Sequence, residues 1–139
     1  MEGIEIIKGS MEHYEDCKEA LMSSELGQIY YTQQERLNAL LCDGFNQGEI
    51  CVAVKDGKIL GYMRFSLNGM FTSFPYLRSI AIKQEYRGQG IGSALLKFYE
   101  DEASKHKKTL FLLVSDFNPS AKRLYERIGY QQVGILPDL

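Results

Sequence analysis

The stretch Arg87-Gly88-Gln89-Gly90-Ile91-Gly92 does most to limit what this chain can fold into. It lies between the apolar run Tyr76-Leu77-Arg78-Ser79-Ile80-Ala81-Ile82 and a segment with helical periodicity. A strand that feeds a glycine-rich turn opening a helix is a recurrent way to hold a phosphorylated cofactor. Glycines let the backbone come close to the ligand and present several N–H groups to it. The helix N-terminus adds unpaired donors and partial positive charge, which suits a pyrophosphate.

The spacing excludes two other glycine loops. A P-loop needs Lys then Ser or Thr after its last glycine, but Gly92 is followed by Ser93-Ala94. The dinucleotide fingerprint G-x-G-x-x-G also fails. Started at Gly88 it meets Ser93 in the last place, and started at Gly90 it meets Leu95. The pattern is R-G-x-G-x-G.

Further on, Thr109-Leu110-Phe111-Leu112-Leu113-Val114 is a second apolar run of buried-strand type. After it come Asn118-Pro119-Ser120-Ala121-Lys122-Arg123-Leu124-Tyr125-Glu126-Arg127-Ile128-Gly129-Tyr130. Asn118 is a good helix N-cap and Pro119 suits the first helical position. Ala121, Leu124 and Ile128 recur at helical spacing, and Gly129 is a stop signal. The glycine loop with its preceding strand, followed by N-x-x-A-x-x-L-Y-x-x-x-G-[FY], resembles the GCN5-related N-acetyltransferase (GNAT) superfamily, whose members use acyl-coenzyme A.

Composition is compatible with that resemblance. The 139 residues suit a single domain, 1–139, with a hydrophobic core. A net charge of −2 gives no electrostatic case for nucleic-acid binding. The basic cluster Lys105-His106-Lys107-Lys108 falls at a predicted helix end, where cations complement the dipole. Cys17, Cys42 and Cys51 are odd in number and widely spaced, which suggests small core residues rather than disulfides or a zinc site. No metal is expected. The N-terminus lacks a leader pattern, and no apolar run approaches the roughly eighteen residues of a membrane span. A cytoplasmic chain without membrane or nucleic-acid partners is expected.

Hydrophobic patterning predicts a strand at Ile4–Ile7, a helix from about His13 to Met22 with Tyr14, Cys17 and Leu21 on one face, and a helix after Thr32 with Leu37, Leu40, Leu41 and Phe45 buried. Gly44 and Gly48 would bracket its exit. Strands at Ile50–Lys55 and Ile59–Leu67 flank Asp56-Gly57, a strong hairpin signal. Asn68–Pro75 reads as a loop, Tyr76–Ile82 as a strand, and the next helix as burying Ile91, Leu95 and Phe98. Strand Thr109–Val114, helix Pro119–Arg127 and a strand from Tyr130 to about Gly134 follow. The fold class is α/β, a single-domain GNAT-like mixed sheet with four helices in the order β-α-α-β-β-β-α-β-α-β. The hairpin makes its strands antiparallel. The helical crossover makes Tyr76–Ile82 and Thr109–Val114 parallel.

The resemblance carries further expectations. In the GNAT fold the two parallel strands splay apart and the pantetheine arm lies between them, so Ile80, Ala81 and Ile82 would pair with it through their backbones. Arg87, Gly88, Gln89, Gly90, Ile91, Gly92 and Ser93 would cradle the pyrophosphate, and Asn118 would also contact the cofactor, acetyl-coenzyme A. Tyr125 would be the general acid that protonates the departing sulfur, since a phenol with a reference pKa of about 10 is protonated at neutral pH. Lying one residue off its helix stripe, it would turn its hydroxyl to the cleft.

Two departures from the family pattern stand out. The fold usually ends on a further strand beside Thr109–Val114, whereas this sequence stops at Ile135-Leu136-Pro137-Asp138-Leu139. An uncovered edge there would favour self-association into a homo-oligomer, or closure by the tail. In many relatives an acidic side chain before the glycine loop is the base, but Leu77-Arg78-Ser79-Ile80 holds no carboxylate. Glu25, Tyr30, Tyr31 and His13 lie near the acceptor side in relatives without marking a base, and His106 lies far from any motif. The acceptor, a small-molecule amine or a peptide amine, is left open. So is the choice between an acetyl-coenzyme A-dependent N-acetyltransferase, working by direct attack in a ternary complex, and a non-catalytic acyl-coenzyme A binding or sensing module.

Overall fold

The computed structural model describes residues 3–24, 33–70, 74–107, 109, 111–112, 123, 125–127 and 129–131, with residues 69 and 70 described by backbone only. Its elements run β1 (Glu5–Lys8), α1 (Tyr14–Met22), α2 (Gln34–Asn46), β2 (Ile50–Lys55), β3 (Lys58–Met70), β4 (Phe74–Ile82), α3 (Ile91–Ser104) and β5 (Phe111–Leu112). Residues 123 and 125–127 are helical as well. Among the described residues the sheet is five-stranded in the order β1-β2-β3-β4-β5, antiparallel up to β4 and parallel between β4 and β5. This is the expected mixed sheet in the expected order.

Local chemistry explains these elements. Asp56 and Gly57 take φ of 51° and 76°, the left-handed pair that a two-residue hairpin needs to match strand twist. One helix layer covers one face of the sheet. Cys17, Ala20 and Leu21 of α1 and Leu37, Leu40, Leu41 and Phe45 of α2 pack there against Ile50, Val52, Tyr62 and Ala81. On the other face, Ile91, Leu95, Leu96, Tyr99 and Ala103 of α3 join Ala53, Leu60, Met63, Leu77 and Tyr125.

Three sequence expectations need correction. Residues 68–75 are not a loop throughout, because the β3–β4 ladder continues through Ser66↔Tyr76 to Met70↔Phe74. Gly44 is not an exit signal. It sits inside α2, where a Cβ would lie 2.7 Å from Ile50 Cδ1 and 2.9 Å from Arg64 Cδ. Phe98 is half-buried, while the fully buried stripe of α3 runs through Ile91, Leu95, Tyr99 and Ala103.

The cysteines divide as well. Cys17 is a core residue, whereas Cys42 and Cys51 are only partly buried. Burial, aided by Asp16, pushes the Cys17 thiol up to about 12. Burial, aided by Glu102, pushes Cys51 to about 11. Neither would be a thiolate at neutral pH, which argues against a nucleophilic role. Among the described residues no helix is long and apolar enough to cross a membrane. Residues 132–139, where the rest of the expected last strand falls, lie outside the described residues, as does Asn118.

Candidate active site

Strand β4 delivers the chain to the glycine loop. After Ile82 a short 3-10 turn, Gln84–Tyr86, leads to Arg87 and into α3. Gly88 and Gly90 adopt φ of 76° and 81°, values that residues with a Cβ rarely take. Gly90 is the N-cap of α3, and Ala94 N–H donates to its carbonyl at 3.0 Å. No side chain caps this helix, and its first turn carries no acidic residue. The N–H groups of Ile91, Gly92 and Ser93 precede the first intrahelical bond, so they are donors suited to an anion.

Gly92 is informative because neither backbone nor packing requires glycine there. Its φ lies outside the left-handed range, and a Cβ would meet no atom within 4 Å. A Cβ at Gly88 would also meet nothing within 4 Å. Space kept clear on both sides of an uncapped helix start fits a phosphate group lying against the backbone. Gln89 and Ser93 are exposed beside it, whereas the Ile91 side chain is buried in the core, leaving only its N–H for a ligand.

The Arg87 side chain does something that its place in the motif did not reveal. Its Nη2 donates to the Ser23 carbonyl at 2.9 Å and to Ser23 Oγ at 3.1 Å, and its Nε donates to the Ile82 carbonyl at 3.3 Å. The guanidinium thus joins the loop to the end of α1. Lys83 makes a parallel link from the other end of the turn, with Nζ 2.6 Å from Asp16 Oδ1 and 3.5 Å from Glu19 Oε2. Sequence reasoning missed Lys83, whose partner Asp16 is 67 residues away in the chain. No local pattern signals such a contact.

Along β4 the three expected cofactor residues differ. Lys83 N–H donates to the Leu60 carbonyl at 2.9 Å, and a Cβ on Gly61 would lie 2.6 Å from the Ala81 carbonyl oxygen. Ala81 therefore turns its backbone toward β3. By strand alternation Ile80 and Ile82 turn theirs the other way, toward the β5 side. Ile80 and Ile82 thus keep donors that face that side, whereas the Ala81 backbone groups face β3.

A bulge interrupts β4 one step earlier. Ser79 pairs with Arg64 and Leu77 with Phe65, so Arg78 has no cross-strand partner. Ser79 Oγ lies 2.6 Å from the buried Tyr62 hydroxyl. Leu77, on the other side, pairs with Leu112 of β5. Such bulges collect beside active sites because they re-aim a side chain.

Tyr125 is 6 % exposed, within the core cluster of the α3 face. Its ring meets Tyr130 edge-on at 6.0 Å. Burial pushes its pKa up to about 12, and nothing acts against that shift. Most of the side chain is therefore core, which sequence spacing alone did not convey. The Tyr130 hydroxyl beside it is buried and has no hydrogen-bond partner among the described residues, and burial and Glu100 drive its pKa upward. His13 accepts a hydrogen bond from Ser10 N–H at 3.1 Å, a turn-stabilising use rather than a catalytic one. His106 is exposed just past the end of α3. Glu25, Tyr30 and Tyr31 lie outside the described residues.

Comparison with known proteins agrees with this geometry. An uncharacterized N-acetyltransferase of Methanocaldococcus jannaschii is 39% identical over 90 residues, which cover 62% of this chain and 54% of that protein. The chain spans about half the length, or less, of the curated relatives it matches. Among solved structures, a Pyrococcus horikoshii protein superposes with a TM-score of 0.80 at 22% identity, over 96% of this chain and 92% of that one. An aminoglycoside N-acetyltransferase in complex with coenzyme A gives a TM-score of 0.74 at 13% identity, over 98% and 93%. At these identities both structures speak to the fold alone. The model of the acetyltransferase (GNAT) family matches residues 11–130, and with that match over most of its length the chain belongs to this family.

Proposed function

We propose that this chain transfers an acetyl group from acetyl-coenzyme A to a primary amine by direct attack in a ternary complex. The observation that carries the reading is the start of α3. Gly88 and Gly90 hold positive φ, the helix has no side-chain cap, and Gly92 is a glycine that the protein's own packing does not need. A pyrophosphate would lie on the N–H groups of residues 88–93, with Gln89 and Ser93 at its margin. Ile80 and Ile82 would pair with the pantetheine arm through backbone groups that face the β5 side. Asn118 would also contact the cofactor.

The chemistry then needs four aids: reactants held together, a polarised carbonyl oxygen, a neutral amine and a proton for the sulfur. The Ile82 N–H would polarise the carbonyl. Tyr125 would give its phenolic proton as the carbon–sulfur bond breaks. β4 carries no carboxylate to take the amine proton, so the amine would arrive as its free base or lose the proton to water. Both small-molecule and peptide amines suit this scheme.

One substitution tests the cofactor site without a fold cost. Gly90→Val would strain a residue at φ of 81°, so loss of binding there could have two causes. At Gly92 a Cβ meets no atom within 4 Å and φ is not positive, so replacing this helical glycine by Val should stabilise the protein by a few tenths of a kcal/mol. Its side chain would nonetheless stand where the phosphates lie. Calorimetry should find acetyl-coenzyme A binding weakened by at least about tenfold, roughly 1.4 kcal/mol, in a protein of unchanged melting temperature. Unchanged affinity would remove the basis of the reading. Release of free thiol from acetyl-coenzyme A across a panel of amines tests turnover itself. Tight binding with no release by any amine would point instead to a non-catalytic binding or sensing module.

A further inference from the structure

β4 is an interior strand of the sheet, between β3 and β5, and its residues are buried or partly buried with one exception. Arg78 is its one exposed residue. It stands on the bulge, between Leu77, paired to Leu112 of β5, and Ser79, tied to Tyr62. It makes no hydrogen bond or ion pair with any described residue. The contrast with Arg64, its near neighbour on β3, is instructive. Arg64 is buried and paired, through Nε to Glu49 at 2.9 Å and through Nη1 to the carbonyls of Ala39 and Leu40. An interior strand covered on both faces is exposed only where the helical layers leave a gap. Here that gap lies one residue past the last described β4–β5 pair, two residues before Ile80.

We propose that Arg78 selects the acceptor, favouring small amines that carry a carboxylate close to the nitrogen, of amino-acid type. The inference rests on the acetyl-transfer reading above. A guanidinium presents a planar fork of donors that matches a carboxylate. Its charge also disfavours the ammonium form of a nearby amine, so the bound amine loses its proton at lower pH. That second effect supplies part of what a missing carboxylate base would do. The nitrogen of the bound acceptor attacks the thioester carbonyl carbon, the carbon–sulfur bond breaks, and the proton lost by nitrogen balances the one gained by sulfur. Polycationic amines would meet repulsion at the same place.

The test compares free amino acids with their C-terminal amides, and adds a diamine, as acceptors for thiol release from acetyl-coenzyme A. Wild-type protein should prefer each acid over its amide by about ten- to a hundredfold in kcat/KM, the size expected of one charge-assisted hydrogen bond. Arg78→Ala should erase that preference, Arg78→Lys should keep part of it, and Arg78→Glu should shift it toward the diamine. Acetyl-coenzyme A affinity should stay the same in all three. Equal use of acids and amides by the wild type, or a preference that survives Arg78→Ala, would overturn the assignment. Binding of the same pairs to the coenzyme A-saturated protein, followed by NMR, separates the two levels of inference. An Arg78-dependent binding preference without turnover would uphold the selectivity and sink the catalysis. No such preference in either measurement would overturn the role of Arg78.

Discussion

Replacing Tyr125 by Phe should lower turnover by about 10²- to 10⁴-fold, the range of general acid catalysis, with little effect on the fold. The side chain is 6 % exposed and its ring packs on Tyr130, so Phe keeps nearly all the buried apolar volume. No described residue bonds to the hydroxyl, so its loss orphans no partner among them, and stability should change by less than about 1 kcal/mol. The raised pKa has two consequences. Held at about 12, Tyr125 stays protonated well into the alkaline range. Its ionisation therefore puts no falling limb on the rate below about pH 11, and kcat should climb to a plateau as the amine becomes the free base.

A phenol this weak could still protonate the sulfur, because the same burial makes a thiolate a stronger base. Acetyl-coenzyme A affinity, measured by calorimetry, should barely move in Tyr125→Phe, since the hydroxyl acts mainly as charge develops on sulfur. Normal turnover in the variant would return Tyr125 to the core and leave the acid unassigned.

Features with a local physical cause were legible in the sequence. Asp56-Gly57 announced its hairpin because few residues besides glycine, Asp and Asn tolerate the left-handed turn. Leu37, Leu40, Leu41 and Phe45 announced α2 because a buried helix face must repeat with the helical period. The glycine loop was legible because its glycines recur at alternate positions within one short stretch. What escaped notice depends on contacts distant in sequence. The bulge at Arg78 has no composition of its own, and it decides which way that residue faces. The links from Lys83 and Arg87 to α1 use charged residues that look like any solvated pair until the fold brings Asp16 and Ser23 to them. Gly44 was misread for the same reason. A glycine near a helix end usually ends it, whereas this one makes room for a side chain from the sheet.

Beside Ile50, the side chain that occupies this space is Arg64, and removing it should be among the most damaging single changes available to this fold. Arg64 is 2 % exposed and anchors α2 to β3 through hydrogen bonds to the carbonyls of Ala39 and Leu40, with a further bond to Glu49 just past the helix. Truncating one partner of a buried ion pair costs about 3–5 kcal/mol, chiefly because a charge is left unpaired in a poor dielectric. The lower end of that range applies here, since Glu49 keeps 22% of its side chain in solvent and can partly rehydrate. Arg64→Ala should therefore lose about 3 kcal/mol in urea unfolding, a large share of the roughly 5–15 kcal/mol that holds a domain together. Adding Glu49→Gln should give back part of the loss, because the stranded charge is gone, with a coupling of about 1–3 kcal/mol across the double-mutant cycle. Gly44→Ala provides an independent check of opposite sign to habit. Ala normally gains about 1 kcal/mol over Gly inside a helix, but here its Cβ would press on Ile50 and Arg64 and should destabilise instead. A loss below about 1 kcal/mol in Arg64→Ala, or a gain in Gly44→Ala, would mean that α2 is held to the sheet by its apolar stripe alone.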